Sequence, residues 1–204
     1  MPFFYLIRHG ETDLNASRTI QWPQTPLNPQ GRWQAKRVAA ALQNKHIGRI
    51  ISSDYVRARE TAEQIHRITA VPMSLDIRLR ERHFGRLRGT SWPPSWHQFD
   101  SDEFEPPGGE SQPAFRKRVT AAWKALQENL KQAECSIAIV THGLVCRTLA
   151  QNHLTWSEHS APPRFSNTSI TVIGATAPWH VIQGPTDDHL KENYQHATLR
   201  THCP

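Results

Sequence analysis

Short apolar runs alternate along the chain with segments in which apolar residues recur at helical spacing. An apolar run of four to eight residues is typical of a buried strand, whereas recurrence every three to four residues is typical of a helix. Strands are predicted over residues 3–7, 49–53, 136–141, 169–174 and 179–183, with a weaker one over 71–75. Helices are predicted over residues 28–44, 55–69, 111–131 and 144–152. This alternation predicts an α/β fold, a three-layer α/β/α sandwich with a mostly parallel central sheet.

Capping signals sharpen two of the helix starts. Asn28 is followed by Pro29, a cap residue and then the residue favoured at the first helical position. Asp54 precedes the helix predicted over 55–69, and we expect its carboxylate to cap that helix.

Two stretches do not follow this pattern. Residues 84–113 are rich in Gly, Pro, Trp and acidic residues, and we expect a lid-like excursion at about 90–110. The tail, about 185–204, is polar and shows no core face. Since the chain has 204 residues, we predict one domain over 1–204.

Composition narrows the protein class. No apolar run approaches the length that spans a bilayer, and the N-terminus lacks the pattern of a secretory signal. The three cysteines are odd in number and unpatterned, which favours a reducing compartment. We therefore expect a cytoplasmic protein that does not act at a membrane.

Positive charge is concentrated in the first half of the chain. The net charge is +6, and residues 1–100 carry 15 Lys and Arg against 8 Asp and Glu. Five arginines surround Glu81 within residues 78–88. Such a surface suits nucleic acid, a membrane or a small anion, and simple solvation accounts for it equally well.

Two predicted strands each end in a His-Gly pair, at His9 and at His142. In an open α/β sheet, functional groups gather at the carboxyl ends of the strands, so neighbouring strands would place both imidazoles in one site. Glycine after each histidine allows the backbone to approach a ligand closely. The helix that follows each turn presents N–H groups that suit an anion.

The residue types at this site favour phosphoryl transfer. Histidine can form a covalent intermediate, and the forked donors of Arg8 and Arg57 suit phosphate oxygens without a metal. A leaving oxygen also needs a proton, for which Glu81 is the candidate. These observations leave open which histidine would be the nucleophile.

The motifs together resemble the histidine phosphatase superfamily, its phosphoglycerate-mutase-like branch. They lie in the family's order and cover residues 3 to about 175: L-I-R-H-G-E-T-D-L-N, P-L-N-P-Q-G-R-W-Q-A, S-S-D-Y-V-R-A-R-E-T-A, L-R-E-R-H-F-G-R-L-R-G, P-P-G-G-E-S and V-T-H-G. The resemblance implies a single histidine-phosphatase-like catalytic domain that needs no metal and no cofactor.

The resemblance also assigns roles to residues. It implies that His9 becomes phosphorylated and that Glu81 is the general acid and base. Arg8, Arg57 and His142 would form the phosphate pocket. The substrate would further contact Asn15, Gln21 and Gly143.

Two arginines flank Glu81 and bear on its acidity. If the side chains of Arg80 and Arg82 approached the carboxyl, they would lower its pKa. We favour the alternative, in which strand alternation points them to the other face.

The choice between phosphatase and mutase depends on the lid. E-R-H-F-G resembles the mutases' version of the acid block, but mutases carry paired arginines in a long insertion after it. Here only about 20 residues separate Gly89 from Gly108; they contain four acids (Asp100, Asp102, Glu103 and Glu105) and no Arg. We expect an acidic lip that repels a second anionic group, which favours a phosphatase.

The lid tryptophans, Trp92 and Trp96, either line a pocket for the leaving group or pack the loop onto the body.

The expected function is therefore a metal-independent phosphatase of small phosphate monoesters. The alternatives are a cofactor-dependent phosphoglycerate mutase and, more remotely, a non-catalytic polyanion-binding protein. The expected partner is a small phosphorylated metabolite, not nucleic acid or a membrane, and a homodimer is a possible assembly. A structural zinc site at His142 and Cys146 is disfavoured, because no further ligand motif accompanies them.

Overall fold

The computed structural model describes residues 2–93, 99, 101–131, 134–156 and 164–191. The strands are β1 (Phe3–Arg8), β2 (Ile47–Ser52), β3 (Met73–Leu75), β4 (Ser136–Thr141), β5 (Ile170–Gly174) and β6 (Val181–Thr186). The helices are α1 (Asp13–Ala16), α2 (Pro29–Leu42), α3 (Val56–Thr69), α4 (Gln112–Lys131) and α5 (Gly143–Asn152). Every predicted strand and helix is present, with ends that differ by up to three residues.

One six-stranded sheet runs through the molecule in the order β3-β2-β4-β1-β5-β6. β1 pairs in parallel with β4, and β2 pairs in parallel with β3 and β4. β5 runs antiparallel to both of its neighbours. The predicted fold class, α/β with a mostly parallel central sheet, is confirmed.

Helices cover both faces of this sheet, which gives the predicted three layers. Alternate residues of β1 point to opposite faces, as the strand period of two requires. Phe4 and Leu6 pack with α4 and α5, around the fully buried Trp123. Tyr5 and Ile7 pack with α2 and α3 on the other face.

The predicted cap of α2 is confirmed, and that of α3 is wrong. The side chain of Asn28 accepts a hydrogen bond from the backbone N–H of Gly31, with Pro29 as the first helical residue. At α3 the N-cap is Tyr55, and it makes no side-chain cap bond. The carboxylate of Asp54 instead forms a salt bridge with Arg80. A charged, bidentate partner outcompetes the backbone N–H groups that the local sequence offered.

Part of the tail is docked onto the body, contrary to the prediction that residues from about 185 lack a core face. Asp188–Leu190 form a short 3₁₀ turn, and His189 within it is buried. Arg37 of α2 donates to the carbonyls of His189 at 2.8 Å and Lys191 at 3.1 Å. Residues 192–204 lie outside the described residues.

The described part of the lid packs onto the body through aromatic rings. Phe99 contacts Phe84, Trp92 and Phe104, with ring centroids 4.7–5.8 Å apart. Beneath them the buried guanidinium of Arg82 donates to the carbonyls of Phe99 and, at 2.8 Å, Phe104. The packing interpretation therefore holds for these rings, and Trp92 also lines the cavity described below, as the pocket interpretation predicts. Trp96 and Asp100 lie outside the described residues.

No helix in the described ranges is long and apolar enough to cross a membrane.

Candidate active site

The two His-Gly pairs meet at the carboxyl edge of the sheet. Because β1 and β4 are parallel neighbours with Arg8 opposite Thr141, His9 and His142 leave the sheet side by side. Their ring centroids are 5.2 Å apart, and both side chains are buried. The strand-end rule thus predicts this juxtaposition correctly.

His9 is held as a neutral imidazole whose unprotonated nitrogen is Nε2. Its Nδ1 lies 2.7 Å from the carbonyl oxygen of Gly10, so Nδ1 carries the proton. The Nε–H of Arg57 donates to Nε2 across 3.2 Å, which requires Nε2 to be an acceptor. Burial, followed by the charges of Arg57 and Arg8, holds the pKa of His9 well below its ordinary value. A neutral, oriented imidazole is the state that a nucleophile needs.

His142 has one ring nitrogen satisfied and one without a partner. Its Nε2 lies 2.8 Å from the hydroxyl of Ser53, at the end of β2. Its Nδ1 is buried and has no hydrogen-bond partner among the described residues. Burial, followed by the charge of Arg57, lowers its pKa well below the ordinary value. A buried polar atom without a partner is rare, and here it fits a donor that awaits a ligand.

Two arginines line the same cavity, the buried Arg57 and the half-buried Arg8. Arg57 donates to the carbonyl of Trp22 at 3.0 Å, and burial lowers its pKa to about 10, so it is charged at neutral pH. Arg8 donates to the carbonyl of Phe165 at 2.6 Å, while its Nε is buried and has no hydrogen-bond partner within the described ranges. Burial also lowers the pKa of Arg8. Desolvated cations with spare donors favour an anion.

Glu81 lies beside these groups in the cavity lining and is half-buried. Its two oxygens accept the backbone N–H groups of Arg82 at 3.1 Å and Leu144 at 3.2 Å. Burial raises the pKa of Glu81, although the Leu144 N–H and the charge of Arg57 oppose the rise. The carboxyl therefore holds its proton to a higher pH than an exposed glutamate does.

As predicted, the side chains of Arg80 and Arg82 do not point at the Glu81 carboxyl. The predicted reason, strand alternation, is wrong. The residues just before Glu81, Ile77–Leu79, form a 3₁₀ turn and not a strand. Arg80 is occupied by Asp54, and Arg82 by carbonyls of the lid.

A cavity of about 730 Å³ connects these groups to solvent. Its lining includes seven of the eight predicted site residues: Arg8, His9, Asn15, Gln21, Arg57, Glu81 and Gly143. The eighth, His142, lies fully buried behind His9.

Asn15 and Gln21 are fixed by a shared partner, Thr12, the N-cap of α1. The side-chain oxygen of Asn15 accepts from the Thr12 N–H at 3.3 Å, and that of Gln21 accepts from the Thr12 hydroxyl at 2.9 Å. Gly143, the first residue of α5, lies against Arg8: an added Cβ would make only ordinary contacts there, the nearest 3.5 Å from the Nε of Arg8.

Gly10 has a different role from the predicted one. An added Cβ would lie 2.6 Å from the carbonyl oxygen of Gly31 and would not meet the cavity. The glycine therefore permits close contact with the start of α2, which braces the loop after His9. The Gly10 N–H donates to the Thr61 hydroxyl at 3.0 Å and steadies the loop further.

The predicted acidic lip is not found in the described part of the lid. Asp102 pairs with Arg116, and Glu103 and Glu105 do not line the cavity. Asp100 lies outside the described residues. Among those described, Glu81 is the only acidic side chain in the lining.

Several lining or supporting residues escaped prediction. The side-chain amide of Asn167 donates to the carbonyl of His9 at 2.9 Å, and Ser53 supports His142. The strand-end rule could have indicated Ser53, which directly follows β2, a neighbour of β4. The wall residues Arg18, Arg147 and Arg164 had no such signal, because they come from separate loops and a helix.

The described residues contain no group of three or more His, Cys, Asp and Glu side chains that could hold a metal ion. Cys146 is buried in α5, as predicted.

Comparison with known proteins establishes the family. The model of the histidine phosphatase superfamily (branch 1) matches residues 4–188, and the chain belongs to this family. It is 37% identical over 157 residues to phosphoglycerate mutase-like protein 4 of Arabidopsis thaliana. The aligned region covers 71% of this chain and 67% of that protein. Over 182 residues it is 34% identical to the probable phosphoglycerate mutase GpmB of Salmonella typhi, which covers 83% of each.

A solved structure agrees with these sequence matches. YhfR of Bacillus stearothermophilus superposes with a TM-score of 0.76 at 29% identity, over 90% of this chain and 96% of that chain. The resemblance inferred from the motifs is thus confirmed at the level of family and fold.

Proposed function

We propose that this chain is a metal-independent phosphatase that hydrolyses small phosphate monoesters through a phosphohistidine at His9. One observation carries the proposal: His9 is a neutral imidazole that lines the cavity, and two buried nitrogens near it that can donate have no hydrogen-bond partner among the described residues. Those donors are the Nε of Arg8 and the Nδ1 of His142. A phosphoryl group attacked by Nε2 would present its oxygens to both.

In the first step, Nε2 of His9 attacks phosphorus as the bond from phosphorus to the ester oxygen breaks. The electron pair of that bond goes to the leaving oxygen, which takes the proton of Glu81. The positive charge that develops on His9 is stabilised by the Nδ1–H bond to the carbonyl of Gly10. Arg8, Arg57 and His142 supply the donors for the phosphoryl oxygens.

In the second step, water replaces the departed alcohol. The Glu81 carboxylate takes a proton from that water, whose oxygen attacks phosphorus while the bond to Nε2 breaks. Phosphate leaves, His9 is neutral again and Glu81 is protonated for the next cycle.

A cofactor-dependent phosphoglycerate mutase is the second candidate, and the names of the two relatives favour it. The two activities differ in the acceptor of the phosphoryl group, water or a second hydroxyl of the substrate. Exposed residues at the cavity mouth, Arg18 and Arg164, leave the described part of the site open to water. This access supports the phosphatase.

The test is a screen of phosphorylated metabolites and p-nitrophenyl phosphate with a chelator present, with 2,3-bisphosphoglycerate-dependent mutase activity measured in parallel. We expect hydrolysis by the wild type, loss of at least about 10³-fold in His9→Ala, and no loss in the exposed control His180→Ala. Wild-type hydrolysis by His9→Ala would contradict the proposal. Mutase turnover that exceeds hydrolysis would favour the second candidate.

A further inference from the structure

The tail segment, residues 187–191, packs against the β5 loop, residues 165–169, which directly precedes β5. His189 is the buried member of the tail segment, only 2% exposed, and its Nε2 lies 3.1 Å from the hydroxyl of Thr168, which is itself fully buried. From the other side, the Nε–H of Arg37 donates to the carbonyl oxygen of His189 at 2.8 Å. The imidazole is thus fixed between α2 and the β5 loop.

The hydrogen bond between His189 and Thr168 can have only one direction. The Thr168 hydroxyl donates its single proton to the carbonyl oxygen of Asn167 at 2.8 Å. It therefore accepts from His189, whose Nε2 carries the proton. Burial lowers the pKa of His189 to about 4, so the ring is neutral at neutral pH and holds this one tautomer.

Thr168 has a strained backbone conformation. Its φ is +56°, in the left-handed region that β-branched residues rarely adopt. Such a conformation persists only where the surroundings determine it, and it is concentrated at functional sites. Here it lets the Thr168 N–H donate to the carbonyl oxygens of Arg8 at 3.0 Å and of His9 at 3.3 Å. The hydrogen bond from His189 holds the side chain of this same residue.

The β5 loop therefore fixes the backbone of the proposed nucleophile. Besides the Thr168 N–H, the side-chain amide of Asn167 donates to the carbonyl oxygen of His9 at 2.9 Å. The next residue is Gly10, whose carbonyl oxygen orients the Nδ1–H of His9. Because the reacting atoms must meet within a fraction of an ångström, a small displacement of this backbone lowers the rate of phosphoryl transfer.

We propose that His189 is a positioning residue for the phosphoryl transfer: it holds Thr168 and, through Thr168, the backbone of His9. The inference rests on the proposed function, since it assumes that His9 is the nucleophile. His189 does not line the cavity, so it acts through the β5 loop and not on the substrate.

The first experiment measures kcat/KM for p-nitrophenyl phosphate in variants that break this hydrogen bond. His189→Ala removes the donor, and Thr168→Val removes the acceptor at nearly the same shape. Each should lower kcat/KM about 10–100-fold. The double variant should lose no more than the weaker single variant, because both changes break the same hydrogen bond. His189→Gln, whose amide can donate from near the position of Nε2, should recover most of the loss.

A second pair of histidine and threonine provides the matched control. The Nε2 of His153, at the end of α5, lies 3.0 Å from the hydroxyl of Thr120, and His153 does not line the cavity. His153→Ala should lower the thermal stability, because it removes a comparable hydrogen bond, and leave kcat/KM unchanged. The proposal is overturned if His189→Ala keeps the wild-type kcat/KM, or if His153→Ala loses as much as His189→Ala.

Failure of the proposed function gives a different result, since the wild type itself would then hydrolyse no ester. The ¹⁵N resonances of the His9 ring, identified by their loss in His9→Ala, still test the positioning role. In the wild type they should show one tautomer, with the proton on Nδ1, and His153→Ala should leave them in place. In His189→Ala and in Thr168→Val they should move toward the averaged values of a free histidine. Wild-type His9 resonances in both of these variants would overturn the proposal.

Discussion

Replacing Glu81 with glutamine separates its proposed role as an acid from its structural contacts. The side chain is half-buried, and its carboxyl accepts two backbone N–H groups, from Arg82 and Leu144. Glutamine has the same shape but offers one oxygen, so one of these hydrogen bonds is lost. The expected cost to folding is about 1 kcal/mol, which a small domain tolerates.

The effect on catalysis should depend on the leaving group. A positioned acid contributes about 10²–10⁴-fold to proton transfer, or about 3–5 kcal/mol of barrier. The leaving group of glycerol 3-phosphate is an alkoxide, which is unstable without a proton, so this ester should lose the full factor in kcat/KM. The leaving group of p-nitrophenyl phosphate is a stable phenolate that needs little protonation, so this ester should lose less than about tenfold in kcat/KM.

The assay measures kcat/KM for both esters, since this parameter reports the steps through cleavage of the ester bond. In Glu81→Gln the second step lacks its base, so p-nitrophenyl phosphate should release a burst of one nitrophenolate per site before slow turnover. Glu63→Gln, an exposed carboxylate on α3, is the matched control and should behave as wild type. Equal losses of kcat/KM with the two esters would refute the assignment of Glu81 as the acid.

Further predictions concern the support of the site and its stability. Ser53→Ala, which removes the hydroxyl 2.8 Å from Nε2 of His142, should reduce kcat/KM about tenfold without a comparable loss of thermal stability; an unchanged kcat/KM would exclude a positioning role. Gly31→Ala would place a Cβ 1.9 Å from the carbonyl oxygen of Glu11, and chemical denaturation should show a loss of about 3 kcal/mol or more, whereas Gly174→Ala meets only ordinary contacts and should lose less. The two buried pocket histidines have lowered pKa values, so stability should fall as pH drops below about 6.5, by up to about 1.4 kcal/mol per pH unit for each. Urea unfolding between pH 5.5 and 7.5 measures this slope, and a variant with glutamine at both positions should show a shallower one.

The fold and the two histidines at the base of the site could be predicted from the sequence, because both depend on local patterns. The apolar runs that become β1 and β4 end at His9 and His142, and the strand-end rule then brings the two imidazoles together. The ordered motifs add Asn15, whose selection depends on family resemblance, since its spacing from His9 carries no chemical signal.

The residues that form the walls of the cavity could not be predicted from local sequence patterns, because they come together only when distant segments meet in the folded chain. An isolated arginine such as Arg18 or Arg164 is most simply interpreted as a solvated charge, and only the folded chain shows both at one cavity. The predicted cap by Asp54 failed for the same reason, since its partner Arg80 lies 26 residues away. Likewise, the close contact that explains Gly10 comes from Gly31 on another element.

The central claim is that a phosphoryl group is transferred to His9 during turnover. The direct measurement mixes enzyme and ester rapidly, quenches in alkali, where phosphohistidine survives, and locates the modification by mass spectrometry of the digested chain. Wild type and Glu81→Gln should both carry one phosphoryl group on the peptide that contains His9, and the variant should accumulate more of it because water attack is slowed. Turnover with no phosphoenzyme in either protein, or a phosphoryl group on a different residue, would contradict the account.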